Sequence, residues 1–580
     1  NIAFLADDPI AGSVSNERFH CIQAEGTAEL IKEGYPEFII NKIYMDNYDR
    51  KIINSNIPQY LDAHNALIDK LNSGILALDF VGHGSQNDWT HEYILKIQDI
   101  LNLKNKRLPL WITATCGFSR YDSYNTSGGE TAFLNPDGGA IALISTTRMV
   151  FSAFNDMLNK AVFKFVFEKE NRQPLRLGDI LRKAKVSLGT QQNKLKFALI
   201  GDPALRLSYP GNEYRVEVKE INGLDVSASG NIQIQAASNN HISGAIVKSN
   251  GQVAADFSGK IDVVVFDNEL SLKTRGHKLP AATGDMSVPY KDYTNTIYSA
   301  TATVTNGLFA VDFVTPLDIL YTGEQGKMSF YAYSENGNEA QGSFSNYKVG
   351  GVASETAETN PPAIRQLYLN DTGFQSGDKV NMSPQLSAVI YDDTGINLSG
   401  AIGHNISLTI DDEKSYNISP YFVVQDLDAG ETGALGIVNF TIPDLTSGRH
   451  TLRLKAWDVF NNSTDESVEF ECVEEVKRAT FGFEIQNNPA LTSAKFVFRS
   501  ELSYLDVEVK YEVYSTDGSL LWSHAETGTA ESLSGRGYEW DLTPSGGGSL
   551  QSGIYLCRMS VRIDGQVKAS KTEKLVVLKQ

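Results

Sequence analysis

Apolar runs of the buried-strand type alternate with amphipathic stretches over the first ~210 residues. Ile2–Ala6 reads as a strand, Ile22–Lys32 as a helix and Phe38–Met45 as a strand. Ala66–Leu71 reads as a short helix stopped by Asn72-Ser73-Gly74. Two apolar runs follow, Ile75 to Val81 and Leu108 to Cys116, and Gly139–Thr146 is a third. Phe154–Phe167 and Leu177–Leu188 have the spacing of amphipathic helices. Within Leu195–Leu207, Gly201-Asp202-Pro203 marks a turn after a further strand. This alternation predicts an α/β domain with a mostly parallel sheet.

The pattern changes after Tyr209-Pro210-Gly211-Asn212. Short alternating segments such as Gly259–Phe266, Met328–Tyr333 and Thr451–Trp457 predict β-sandwiches. Residues 349–362, small, acidic and proline-ended, read as a linker. A last module carries a hairpin expected to turn at Asp517-Gly518 and a glycine-rich loop, Ser545–Ser549. The expected domains are therefore 1–210, α/β; 211–350, β-sandwich; 361–475, immunoglobulin-like β-sandwich; and 476–580, a C-terminal β-sandwich.

Composition narrows the classes. A chain of 580 residues is too long for one core. Its net charge of −19 argues against nucleic acid as a partner. Nowhere is there an apolar stretch near the ~20 residues a membrane helix needs. A chain that opens directly in a core strand reads as the C-terminal part of a longer protein. The cysteines are Cys21, Cys116, Cys472 and Cys557, too few for a disulfide scaffold. Cys472 and Cys557 lie in β-patterned segments and read as buried apolar residues.

Cys116 is different, because it ends a strand. The strand before it ends in Gly82-His83-Gly84. In parallel sheets, sites form at the carboxyl ends of neighbouring strands. A thiol beside an imidazole there makes a nucleophile for acyl substrates. The N–H groups of Gly84 and Cys116 are candidate oxyanion donors. Asp7 and Asp8 end the first strand on the same edge and compete for the role of orienting His83. Glu130 and Arg148 sit on loops just after the site-forming strands, as cleft-lining residues or as a surface salt bridge or helix cap; His91, eight residues after His83, reads as a metal ligand or as a supporting or surface residue. Oxygen-rich loops such as Asp392–Asn397 leave room for structural calcium or are ordinary turns.

Phe80–Ser85 (FVGHGS), Leu108–Cys116 (LPLWITATC), Gly139–Thr146 (GAIALIST) and Phe197–Leu205 (FALIGDPAL) occur in an order that resembles the gingipain-type cysteine peptidases, relatives of the caspases. Ala6–Pro9, Ser127–Glu130 and Ser145–Arg148 look most like the sortase members of that group, which serve the type IX secretion system. The resemblance implies a caspase/gingipain-like α/β domain followed by about three all-β, immunoglobulin-like domains. It makes Cys116 the nucleophile, His83 the general base and acid, and Gly84 and Cys116 the oxyanion hole. Asp7 best matches the acid that orients the histidine, with Asp8 as rival. Glu130 and Arg148 become candidate substrate contacts. Where gingipains carry an aspartate that selects a basic P1 side chain, the matching position is His20. That departure removes the basis for Arg/Lys specificity and implies another P1 pocket.

By the same resemblance no cofactor is required. The last module resembles the C-terminal signal domains of type IX cargo. Expected partners are cargo proteins with such domains, an outer-membrane β-barrel such as PorV, and a lipopolysaccharide-linked amine acceptor. The expected location is the extracellular face of the outer membrane. Two rivals remain: a secreted peptidase that only hydrolyses, and a non-catalytic surface scaffold with a retired peptidase domain.

Overall fold

The structure is a computed structural model. It describes residues 1–580 except 12–13, 16, 53–57, 229–231, 354–357, 400–402, 426–432, 443–444, 474–480, 501–505, 516–517, 564–565 and 580. The first region alternates strand and helix: β1 (Ile2–Ala6), α1 (Phe19–Gly34), β2 (Ile40–Tyr44), α2 (Leu61–Ser73), β3 (Ala77–Val81), α3 (Ile97–Asn102) and β4 (Leu110–Ala114). It continues with α4 (Gly128–Leu134), β5 (Ala142–Thr146), α5 (Ser152–Val166), α6 (Leu177–Ser187) and β6 (Phe197–Ile200). One six-stranded sheet results, ordered β6-β5-β4-β3-β1-β2. All its pairs are parallel except the edge pair of β5 and β6.

Both faces of this sheet are covered, which is why its central strands are mostly apolar; Asp79 of β3 is a buried exception, its carboxyl group accepting from the Asn159 amide at 2.9 Å. Ile2, Phe4 and Ala6 of β1 enter a core shared with Ala24, Ala28 and Ile31 of α1 and Val162 and Phe163 of α5. Ala3 and Leu5 enter the opposite core with Leu67 and Leu71 of α2 and Ile100 of α3. Side chains of a strand alternate between faces, so each run feeds two cores.

The second region is all β: β7 (Tyr214–Ile221), β8 (Asn239–Lys248), β9 (Gly259–Phe266), β10 (Leu270–Lys273), β11 (Pro289–Asp292), β12 (Thr296–Val304), β13 (Leu308–Val314), β14 (Lys327–Ser334) and β15 (Glu339–Phe344). Its main sheet runs β12-β9-β14-β15-β7-β8-β13. Strands β10 and β11 form a separate hairpin that leaves this sheet as an arm. The arm reaches the first region. Val288 is buried in the core that holds Phe4 and Phe163. The Asp46 carboxylate accepts hydrogen bonds from the Gly276 and His277 N–H groups, each 2.8 Å, and meets the His277 ring Nδ1 at 2.8 Å. Lys42 Nζ donates to the Lys291 carbonyl at 2.6 Å.

The stretch 349–362, expected as a linker, begins instead as a strand. Lys348–Val352 pairs in parallel with Gln233–Ala236, and Val349 is fully buried. An apolar side chain in register with a partner strand outweighs the small-residue composition around it; residues 354–357 lie outside the described ones.

The chain divides into two compact units. One holds Asn1–Leu367, Ser387–Asn439 and Arg453–Glu466; the other holds Tyr368–Leu386, Phe440–Leu452 and Ser467–Gln580. Besides the two regions above, the first unit contains the hairpin of Ser407–Ile410 with Lys414–Asn417. The second ends in two sheets, one three-stranded and one four-stranded. They close on one core that includes Phe483, Phe496 and Phe498 from the first, and Val509, Tyr511 and Met559 from the second. The hairpin expected around Asp517-Gly518 has its strands at Asp506–Tyr514 and Leu520–Thr529; Asp517 itself lies outside the described residues. Among the described residues no helix is long and apolar enough to cross a membrane.

Candidate active site

Parallel pairing in register brings three strand ends to one edge. Ala6 pairs with Val81, and Val81 with Ala114. The residues that follow, Asp7, Gly82-His83-Gly84 and Thr115-Cys116, therefore share that edge. Gly82 is needed for close approach, since a Cβ there would sit 2.6 Å from the Asp7 Cβ. A Cβ at Gly84 would meet Thr115 Oγ1 at 2.5 Å. Gly84 faces Trp89 across a short antiparallel bridge closed by Ser85 N–H to Asp88 O and Thr90 N–H to His83 O. Those bonds flank Gly84, so its own N–H has no acceptor among the described residues, and neither has that of Cys116. Both oxyanion candidates are thus unspent donors.

His83 is held at two points. Its backbone N–H donates to Asp7 Oδ2 at 2.8 Å. Its ring Nε2 bonds the Glu17 carboxylate. Glu17 stands just ahead of α1 and was not among the residues picked from sequence. Its carboxyl is pushed down to about 2, first by the His20 ring beside it and then by His83. An ionised carboxylate only accepts, so His83 Nε2 carries a proton, and in the neutral ring the lone pair falls on Nδ1. The signal in the sequence was a carboxylate three residues before His20, at the start of the first helix.

The Asp7/Asp8 choice resolves into different tasks. Asp7 grips the His83 backbone, and one of its oxygens lies within 4.8 Å of a ring nitrogen of His83 and of His20. Asp8 accepts from the Tyr60 hydroxyl at 2.6 Å and the Ile10 N–H at 3.0 Å. Neither bonds the His83 ring. Asp7, Asp8 and Glu92 form a buried group of three carboxyls, and among the described residues Arg50 faces it, 3.7 Å from Asp8 and 3.3 Å from Glu92. Burial raises all three; Asp8 reaches about 7, through burial and then the Glu92 charge. Burial thus opposes full ionisation of this group.

Cys116 is partly exposed, and its thiol points at the Val150 carbonyl, 3.7 Å away. No hydrogen bond joins it to the His83 ring among the described residues. Gly117, in the left-handed region at φ 62°, turns the chain directly after it, and its N–H donates to Arg148 O at 3.1 Å. Arg148 itself is exposed and forks onto Asp122 at 3.0 and 2.5 Å. Glu130 is not aimed at the cleft: it closes the capping box of α4 with the Ser127 N–H at 2.9 Å and hydroxyl at 2.7 Å. His20 is buried, with its ring centroid 5.2 Å from that of His83. His91 is exposed, with its ring centroid 5.2 Å from that of His83. Asp392 lies with Glu358 and Asp458 in an oxygen-only cluster, and its Oδ1 accepts from the Thr394 and Gly395 N–H groups as in a turn.

A strand-end thiol, an imidazole held by a carboxylate, and two unspent N–H donors define a cysteine-peptidase type of site. Residues 1–208 match the family Peptidase family C25, so this stretch carries the gingipain-family cysteine-peptidase fold. Similar solved structures include dimeric latent PorU from Porphyromonas gingivalis, at 30% identity and a TM-score of 0.30, over 77% of this chain and 41% of that one. Another is the complex of RgpB pro- and mature domains from the same organism, at 16% identity and a TM-score of 0.30, over 60% of this chain and 67% of that one. The chain therefore spans 41% of the length of that PorU chain. No curated protein matches the chain.

Proposed function

We propose that the protein is a cell-surface cysteine peptidase of the sortase kind. It cleaves the C-terminal signal domain from type IX secreted cargo and passes the new carboxyl end to a lipopolysaccharide-linked amine. The thiol of Cys116 leaves the Val150 carbonyl and gives its proton to His83 Nδ1, the nitrogen that Glu17 leaves free. The thiolate attacks the scissile carbonyl, and the N–H groups of Gly84 and Cys116 hold the oxyanion. His83 then protonates the departing amine, which leaves a thioester on Cys116. The acceptor amine loses its proton to His83 and displaces the thiol, restoring the site.

The observation that carries the peptidase part is the His83 ring fixed by ionised Glu17 on the strand edge that also presents Cys116. The ordered motif set around it supports the transfer part, which the acylation chemistry alone does not distinguish from hydrolysis. His20 in place of an acidic P1 selector favours a non-basic P1 side chain. The test is cleavage of a cargo protein in the presence of an amine acceptor, followed by mass spectrometry of the new C-terminus. An amide-linked end supports transfer. A free acid alone assigns a hydrolase, and cleavage that survives Cys116→Ala removes both readings.

A further inference from the structure

His20 is 4% exposed, and neither of its ring nitrogens has a hydrogen-bond partner. A buried polar group normally finds a partner, so this one calls for an explanation. Its Nε2 faces the Glu17 carboxylate at 3.6 Å, beyond hydrogen-bond range, and its ring stands edge-on to that of His83 at 78°. One donor atom each of Asp7, His20 and His83 lies within 4.8 Å of the other two. Two imidazoles and a carboxylate are the donor set of zinc-type ions, whereas calcium and magnesium favour oxygen alone. Ligand atoms about 2.1 Å from a tetrahedral zinc sit roughly 3.4 Å apart, so each pair needs to draw in by about 1.4 Å at most. The His83 side chain, 37% exposed, has the freedom to do so. Glu17 on Nε2 is also what a metal-bound histidine requires: the opposite nitrogen is left with its lone pair and a carboxylate fixes the ring.

We infer that Asp7, His20 and His83 form a binding site for a divalent zinc-type ion that shuts the peptidase reversibly. The bound ion takes the lone pair of His83, so the Cys116 proton has no acceptor. Calling the effect inhibitory rests on the peptidase reading above; binding of the ion does not. Cys116 is not a ligand, which separates this site from a metal caught between any catalytic thiol and histidine.

The test titrates Zn2+ into the whole 580-residue chain carrying Cys116→Ala, against a chromophoric chelator. One equivalent should bind, with His20→Phe weakening it roughly 100-fold and Glu17→Gln about 10-fold. Co2+ added to the unaltered protein should give the visible bands of a four-coordinate site without a sulfur-to-cobalt charge-transfer band. Absence of binding, affinity unmoved by His20→Phe, or a sulfur band that vanishes with Cys116→Ala overturns the proposal. Should His20→Phe lose its thermal transition, the cobalt spectrum decides alone. Zinc binding in a protein without peptidase activity would keep this site and remove only the function proposed for it.

Discussion

Cys116 and Cys557 are the same residue in opposite surroundings. Cys557 is buried in the C-terminal core, on a strand where it pairs with Val513, and burial pushes its thiol up to about 12. Cys21, on the buried face of α1, is likewise pushed up by burial. Cys116 is partly open and stands among unspent N–H donors, on the edge that also carries an imidazole with a fixed tautomer. The C-terminal core takes in apolar groups and asks only for shape. The strand edge of the peptidase region instead buries Asp7, Asp8 and Glu92 within reach of one another, with His20 buried within reach of Asp7. Reactivity here comes from what surrounds the thiol.

The contrast breaks most sharply by removing one thiol at a time. Cys116→Ala should lower cargo cleavage by roughly 10^5-fold with the thermal transition unchanged. Cys557→Ala should leave turnover within about twofold and cost about 1–2 kcal/mol in a urea titration. His83→Ala should lower kcat/KM by roughly 10^3-fold, measured on the same cargo.

Glu17→Gln should come next, at about 100-fold in kcat, because the ring keeps its place but loses the charge that fixes its tautomer. It should also change the acid limb of stability. A carboxyl held down to about 2 stabilises the fold above its ordinary value and loses that contribution as the pH falls toward about 2. The variant should flatten that fall. Alkylation of the folded protein should label Cys116 and spare Cys21, Cys472 and Cys557, read by peptide mass spectrometry.

The smallest effect tests the carboxyl group beneath the site. Asp8, raised to about 7, favours its protonated form in the fold. Its contribution is complete below the ordinary carboxyl range and is lost as the pH rises through about 7. Asp8→Asn should therefore be neutral near pH 4 and stabilising by on the order of 1–3 kcal/mol near pH 8, compared by urea titration at the two values.

Much of this edge was legible in the sequence, because β3 and β4 are largely apolar, Asp79 and Thr113 apart, and end abruptly in chemistry-bearing residues. Pairing in register then does the rest for Asp7, His83 and Cys116. Glu17 was not legible, since it lies between β1 and α1, where no periodicity says which way a side chain faces. Of the two readings open for Glu130 the structure displays the helix cap, since a capping box places a carboxylate near a helix start for structural reasons alone. The strand at Lys348–Val352 was hidden by its glycines and by the acidic run after it. The β10–β11 arm gave no sign, because a hairpin that leaves its own sheet has the same alternation as one that stays.

That arm changes what counts as one inherited piece. The family match stops at residue 208, yet Val288 is a wall of the core that holds Phe4 and Phe163. Arg18, the neighbour of Glu17, donates to the carbonyl of Asp285 on the same arm at 3.1 Å. A gene fragment ending at the family boundary would leave an open wound in that core and unbrace the start of α1. The two stretches therefore complete each other, and a substitution at Val288 is felt in the core of the peptidase region.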